Sequence, residues 1–160
     1  MTVEQKIIGG ISLLTLGILG GAVFLLSGSS SNVKSSIPKE QIVAENGIHW
    51  HPRLLISIKG QRQEIPANIG IGAVHQKIHT HPEDNKEGVI HMEMQGIVTK
   101  DETKLGNFFK IWGKEFNSNQ IFDKKNGKEG KLKMLVNGKE NNSFENYQMR
   151  DKDLIEIIYE

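Results

Sequence analysis

The chain has 160 residues, enough for one ordinary domain and an appendage. Its net charge is only +1, with 20 basic against 19 acidic residues interspersed, so no strong field draws it to nucleic acid. Cysteine is absent, which excludes disulfides, thiolate zinc knuckles, iron–sulfur clusters, cysteine nucleophiles and a lipidated N-terminal cysteine.

Residues 7–26 (IIGGISLLTLGILGGAVFLL) form an uncharged apolar run. At about 1.5 Å per residue a helix of this length crosses the roughly 30 Å hydrocarbon core of a bilayer. A cleavable signal peptide usually has a shorter apolar core, so the length favours a retained anchor. The short segment before the span suits a signal anchor, which predicts that residues 28–160 lie outside the cytoplasm, although the positive-inside bias from Lys6 is slight. Gly17-xxx-Gly21 reads as glycines of an ordinary span rather than a helix-pairing face. Residues 1–27 are therefore the predicted anchor, and the Ser-, Gly- and Asn-rich stretch that follows opens a flexible tether over 28–41. The remainder, 42–160, is long enough for one core.

Within it, Arg53–Ile58 is a predicted strand, Lys59-Gly60-Gln61 a turn and 63–67 a return strand. Trp50, Leu54, Ile56 and Ile58 share the core-facing parity; His49, His51 and Arg53 share the other, with a bend at Pro52. Residues 70–87 are irregular and carry His75, His79 and His81. Residues 88–95 alternate as a short strand, with Ile90, Met92 and Met94 on one face and His91 and Glu93 on the other. Residues 103–116 give the strongest helix signal: Leu105, Phe108, Phe109, Trp112 and Phe116 fall on one face, with Thr103 or Asp101 as N-cap. Residues 117–131 read as loop. Leu132, Met134 and Val136 alternate up to the hairpin pair Asn137-Gly138, and Leu154–Tyr159 forms a last strand, buried on both faces, after the turn Asp151-Lys152-Asp153.

Hairpin, helix and further strands predict an α+β domain. The tail KLKMLVNGKENNSFENYQMRDKDLIEIIYE resembles the end of β-grasp (ubiquitin-like) domains, and the hairpin-then-helix order agrees with it. That resemblance implies a β-grasp-like domain with one aromatic-faced helix and a His-rich insertion between first hairpin and helix; it carries no function. The anchor, His-Trp-His, His-Thr-His and the Phe-Phe-x-x-Trp-Gly helix together resemble a group of functionally uncharacterised membrane-anchored bacterial and archaeal proteins.

All six histidines fall between His49 and His91. Histidine is the commonest metal ligand. On a strand, a His-x-His pair points both rings to one side, which suits two ligands of one ion. His49/His51 and His79/His81 are two such pairs. His91 and Glu93 are possible additions, Glu93 either as ligand or as the acceptor that orients an imidazole. His75 reads as a bystander, and Met92 and Met94 as core rather than thioether ligands. Without thiolates, copper(II) and zinc lead, copper slightly ahead in the usual affinity order.

Two enzyme motifs come close and fail. Gly72 with His79-Thr-His81 has the outline of a first cupin motif, but Glu83 is too near and Glu87 too far. His79-Thr-His81-Pro82 resembles the core of JAMM-type zinc isopeptidases, but Val89 and Met92 stand where that family has Ser and Asp. Neither a phosphate loop nor a serine nucleophile elbow is present. The expectation is a membrane-anchored extracytoplasmic protein that captures or delivers copper or zinc through His49, His51, His79, His81, His91 and Glu93, with a membrane protein as a possible partner and no nucleic acid. The alternatives are an accessory subunit of a membrane complex without metal, and a metal-dependent enzyme.

Overall fold

The computed structural model describes residues Ile37–Glu160. The predicted span over 7–26 and most of the tether lie outside the described residues. No helix among the described residues is long and apolar enough to cross a membrane.

The domain is α+β, mostly strands with one α-helix. A 3₁₀ turn, Lys39–Gln41, leads into β1 (Ile42–Ala44), β2 (Ile48–Trp50), β3 (Arg53–Ile58) and β4 (Gln61–Gln63). The His-rich stretch supplies β5 (Ile78–His79), then β6 (His91–Met94) and β7 (Val98–Thr99). Helix α1 (Leu105–Trp112) follows, then β8 (Phe116–Asn117), β9 (Gln120–Ile121), β10 (Lys124–Lys125), β11 (Leu132–Val136), β12 (Lys139–Glu140) and β13 (Leu154–Tyr159).

The main sheet has five strands in the order β12-β11-β13-β3-β4. Its centre is a parallel pair: β13 runs alongside β3 from Leu154↔Arg53 to Tyr159↔Ile58, and all other neighbours are antiparallel. Both hairpins of this sheet close through two-residue turns with positive φ at each position, Lys59 and Gly60 in one, Asn137 and Gly138 in the other. That geometry matches the right-handed twist of the strands it joins. The return strand therefore begins at Gln61, earlier than expected, because the turn needs only two residues.

A second sheet, β2-β6-β5, carries the histidines. Pro52 separates β2 from β3, and its carbonyl accepts the Ile90 N–H at 2.9 Å, so the proline sits where one chain passes between the sheets. Smaller ribbons pair β1 with β7 and β8, β9 and β10 with one another; the latter fall in the stretch expected to be loop.

One apolar core joins these layers. Leu54 and Ile56 from β3, Met134 from β11, and Ile155, Ile157 and Tyr159 from β13 are buried together with Leu105, Phe108 and Phe109 of α1. Trp50 and Ile58 pack against it half-buried. Only one face of β13 is fully covered: Leu154, Glu156 and Ile158 on the other are half-buried, so the expectation of burial on both faces is corrected.

The helix is shorter than the apolar spacing suggested. Gly113 takes a left-handed conformation (φ 70°) and ends it. Phe116 therefore belongs to β8, yet its ring still stacks on Phe109 at 4.4 Å. Neither Thr103 nor Asp101 caps the helix; Lys104 holds that position without a side-chain cap, and the Thr103 hydroxyl donates to the Lys100 carbonyl instead. The Leu105 N–H is satisfied by the Tyr147 carbonyl at 2.8 Å.

Candidate metal centre

Strand alternation builds the site. In the β2-β6-β5 sheet, Ile48 lies opposite Met94, and Trp50 and Ile78 both lie opposite Met92. These residues, with Ile90, form the inner face; Ile78, Ile90, Met92 and Met94 are buried in the core. The intervening positions face the other way: His49 lies opposite Glu93, and His79 opposite His91. His51 and His81 continue the outward parity just beyond β2 and β5. One small sheet thus has an apolar face and an imidazole face, and both methionines belong to the former.

The rings form one continuous chain. Centroids are 4.7 Å apart for His49–His51, 4.8 Å for His51–His91, 4.6 Å for His81–His91, 5.5 Å for His79–His91 and 4.8 Å for His79–His81. His75, set aside on spacing, joins this chain with its ring 4.2 Å from that of His79. No helix brings it there. A turn does: the N–H of Gln76 donates to the carbonyl of Gly70, and the 68–76 segment folds over β5. Gly70 (φ 75°) permits the approach, since a Cβ there would stand 2.5 Å from the Ile78 carbonyl oxygen and 3.2 Å from the His79 Cβ. His79 points outward from its strand yet is only 1% exposed, because this turn covers it.

Hydrogen bonds orient several rings. The Nδ1–H of His79 donates to the Gln76 carbonyl at 3.0 Å, which leaves Nε2 with the lone pair. That Nε2 lies 3.1 Å from Nε2 of His81. Two nitrogens on one ion, each about 2.0–2.1 Å from it with roughly tetrahedral or square angles, stand about 2.9–3.4 Å apart. The separation thus fits a shared metal; in the metal-free ring pair, one Nε2 must carry the proton between them. His91 donates Nε2–H to Asp84 Oδ2 at 2.9 Å, and His49 Nε2 is 3.3 Å from Glu93 Oε1. The backbone N–H of His51 is held by Asp151 Oδ1 at 2.9 Å.

Burial pushes the His79 imidazole below the ordinary histidine range; the hydrogen bond to Gln76 opposes this, and the neighbouring His75 and His81 add to it. His51 is lowered too, first by burial and then by His91 and His49. Neutral rings are the form that binds metal.

Taking one ligand atom from each residue, three sets lie within 4.8 Å of one another: His49, His51 and His91; His75, His79 and His81; and His79, His91 and Glu93. The structure therefore brings together all six residues singled out from the sequence, and adds His75 and Asp84. Asp84 carried no signal beyond being one acid in the run Glu83–Glu87. A cleft of about 350 Å³ opens on this face, lined by His49, His75, His79 and Glu93 among others. Compared with protein-family models, curated proteins and solved structures, the chain matches none.

Proposed function

We propose that this is a transition-metal-binding domain, holding copper(II) or zinc through the imidazole face of its small sheet. The observation that carries the reading is the His79–His81 pair: two Nε2 atoms 3.1 Å apart, one of them with its tautomer set by Gln76. Two facing nitrogens at this spacing cost free energy unless a proton or a metal lies between them. His75 completes a three-nitrogen set around them. All-nitrogen ligation ranks copper(II) above zinc in affinity.

The finer readings belong to the same proposal. The order β12-β11-β13-β3-β4 with a parallel central pair supports a β-grasp-like domain, with β5 and β6 of the second sheet in the His-rich insertion and β2 contributed from before the first hairpin. The apolar run at 7–26 supports a membrane anchor, with the metal face outside the cytoplasm and capture or delivery to a membrane partner as its role.

Calorimetric titration of the purified full chain with copper(II) and zinc tests the proposal. Binding tighter than ~10 µM, near −7 kcal/mol, is expected, and its tightest component should be lost in His79→Gln/His81→Gln. Affinity no better than that threshold for either ion would sink it.

A further inference from the structure

Six histidines exceed the four ligands of a tetrahedral zinc site, and their geometry divides them. Nitrogens about 2.1 Å from a common metal lie at most about 4.2 Å apart. Within 4.8 Å, slightly looser than that limit, the histidines form two triads with no member in common, His75/His79/His81 and His49/His51/His91, and a third set, His79/His91/Glu93, takes one histidine from each and joins them. The triads touch: the His91 ring is 4.6 Å from that of His81 and 5.5 Å from that of His79.

A second observation falls on the outer triad. Asp84 Oδ2 accepts the His91 N–H, while Asp84 Oδ1 is buried and has no hydrogen-bond partner among the described residues. A buried carboxylate oxygen left alone is costly, and a neighbouring cation offsets that cost. Glu93, between the triads on β6, supplies a second negative charge. Two divalent ions side by side repel strongly in a partly dry site, so carboxylates beside them are what such a pair requires.

We propose that the imidazole face binds two metal ions as neighbours, an inner one on His75, His79 and His81 and an outer one on His49, His51 and His91, with Asp84 and Glu93 balancing their charge. This rests on the metal-binding reading and extends it. The two positions are unequal. Each triad has one exposed histidine, His75 in the inner and His49 in the outer, but the inner one also holds His79, which is 1% exposed, whereas His51 and His91 of the outer one are half-buried. Each position has one ring oriented by a hydrogen bond, His79 by Gln76 and His91 by Asp84, so the deeper burial of His79 is what makes the inner position the tighter one and the outer one the faster to exchange. That is an entry position next to a retention position, the arrangement a capture protein needs.

The test is copper(II) titration of the purified full chain, followed by calorimetry and by electron paramagnetic resonance. Two equivalents are expected, the first at least about tenfold tighter, a difference of about 1.4 kcal/mol. The second equivalent should broaden the signal of the first through dipolar coupling. His49→Gln/His51→Gln should keep one tight equivalent with no broadening. His75→Gln/His81→Gln should keep only the weaker one, with circular dichroism checking that each variant is folded. A single equivalent in the unaltered chain overturns the two-ion arrangement and leaves the metal-binding reading standing. Two equivalents without dipolar coupling, or a second that survives His49→Gln/His51→Gln, likewise overturn the neighbouring pair. No binding at all overturns both readings.

Discussion

His79 lies directly across the sheet from His91, and each ring is oriented by a different acceptor, the Gln76 carbonyl for His79 and the Asp84 carboxylate for His91. Groups that orient an imidazole are often worth as much to a metal site as a ligand. Asp84→Asn keeps the size and removes the charge. Its expected effect is a loss of about 10–100-fold in metal affinity, with the melting temperature of the metal-free chain little changed. Titration calorimetry beside a thermal melt checks this; unaltered affinity would remove Asp84 from the site.

The buried imidazoles also set a pH dependence. Burial holds His51 and His79 below the ordinary histidine value, so the unfolded chain takes up protons on them at about pH 6.5 while the folded chain does not. The unfolded state then binds more protons, and stability falls as pH falls. Their contribution is complete above about pH 6.5 and is lost as pH drops through the folded values. Thermal melts in chelator between about pH 7.5 and 5.5 should show this decline. His79→Gln should make it shallower; a slope identical in the variant would contradict the assignment.

Met92 separates packing from ligation. It is fully buried on the apolar face of β6. Met92→Ala should cost about 2–5 kcal/mol by chemical denaturation, whereas Met92→Leu should cost less than about 1.5 kcal/mol and leave copper and zinc affinity unchanged. Weaker binding by folded Met92→Leu would make the thioether a ligand after all.

Asp153 is the buried acid of the main sheet. It accepts the Tyr147 hydroxyl at 2.7 Å, the Arg150 N–H at 2.8 Å and the Asn137 side-chain amide at 2.9 Å. Burial, and then the bond to Asp153, push the Tyr147 phenol up. Asp153→Ala removes one charged acceptor shared by three donors near the entry of β13, of which Tyr147 is half-buried and the other two belong to the exposed residues Asn137 and Arg150; a hydrogen bond to a charged group is worth about 1.5–3 kcal/mol. A loss of at least about 2 kcal/mol in denaturant unfolding is expected, with metal binding by the folded variant intact.

Much of this was legible from residue alternation. Ile90, Met92 and Met94 against His91 and Glu93 read correctly because a strand has a period of two, and Asn137-Gly138 announces its hairpin by residue type, whereas the turn read over Lys59-Gly60-Gln61 is one residue shorter in the structure. The aromatic helix was legible as an element but not in length, since Phe116 keeps its packing role through a strand rather than a last helical turn. His75 was not legible. It reaches His79 through a glycine turn whose shape depends on contacts with β5, and spacing along the chain carries no trace of that. Asp84 was hidden likewise, because its pairing with His91 is made in space by an irregular segment.

The alternation along β6 has a further consequence for how the chain reaches its native form. A slip of one residue against β2 and β5 would turn His91 and Glu93 into the apolar core and leave Met92 and Met94 facing water. The imidazole face exists in one register only. A ligand that needs this face therefore lowers the free energy of the correct pairing and of no other, so its presence during folding would act as a selector among strand alignments.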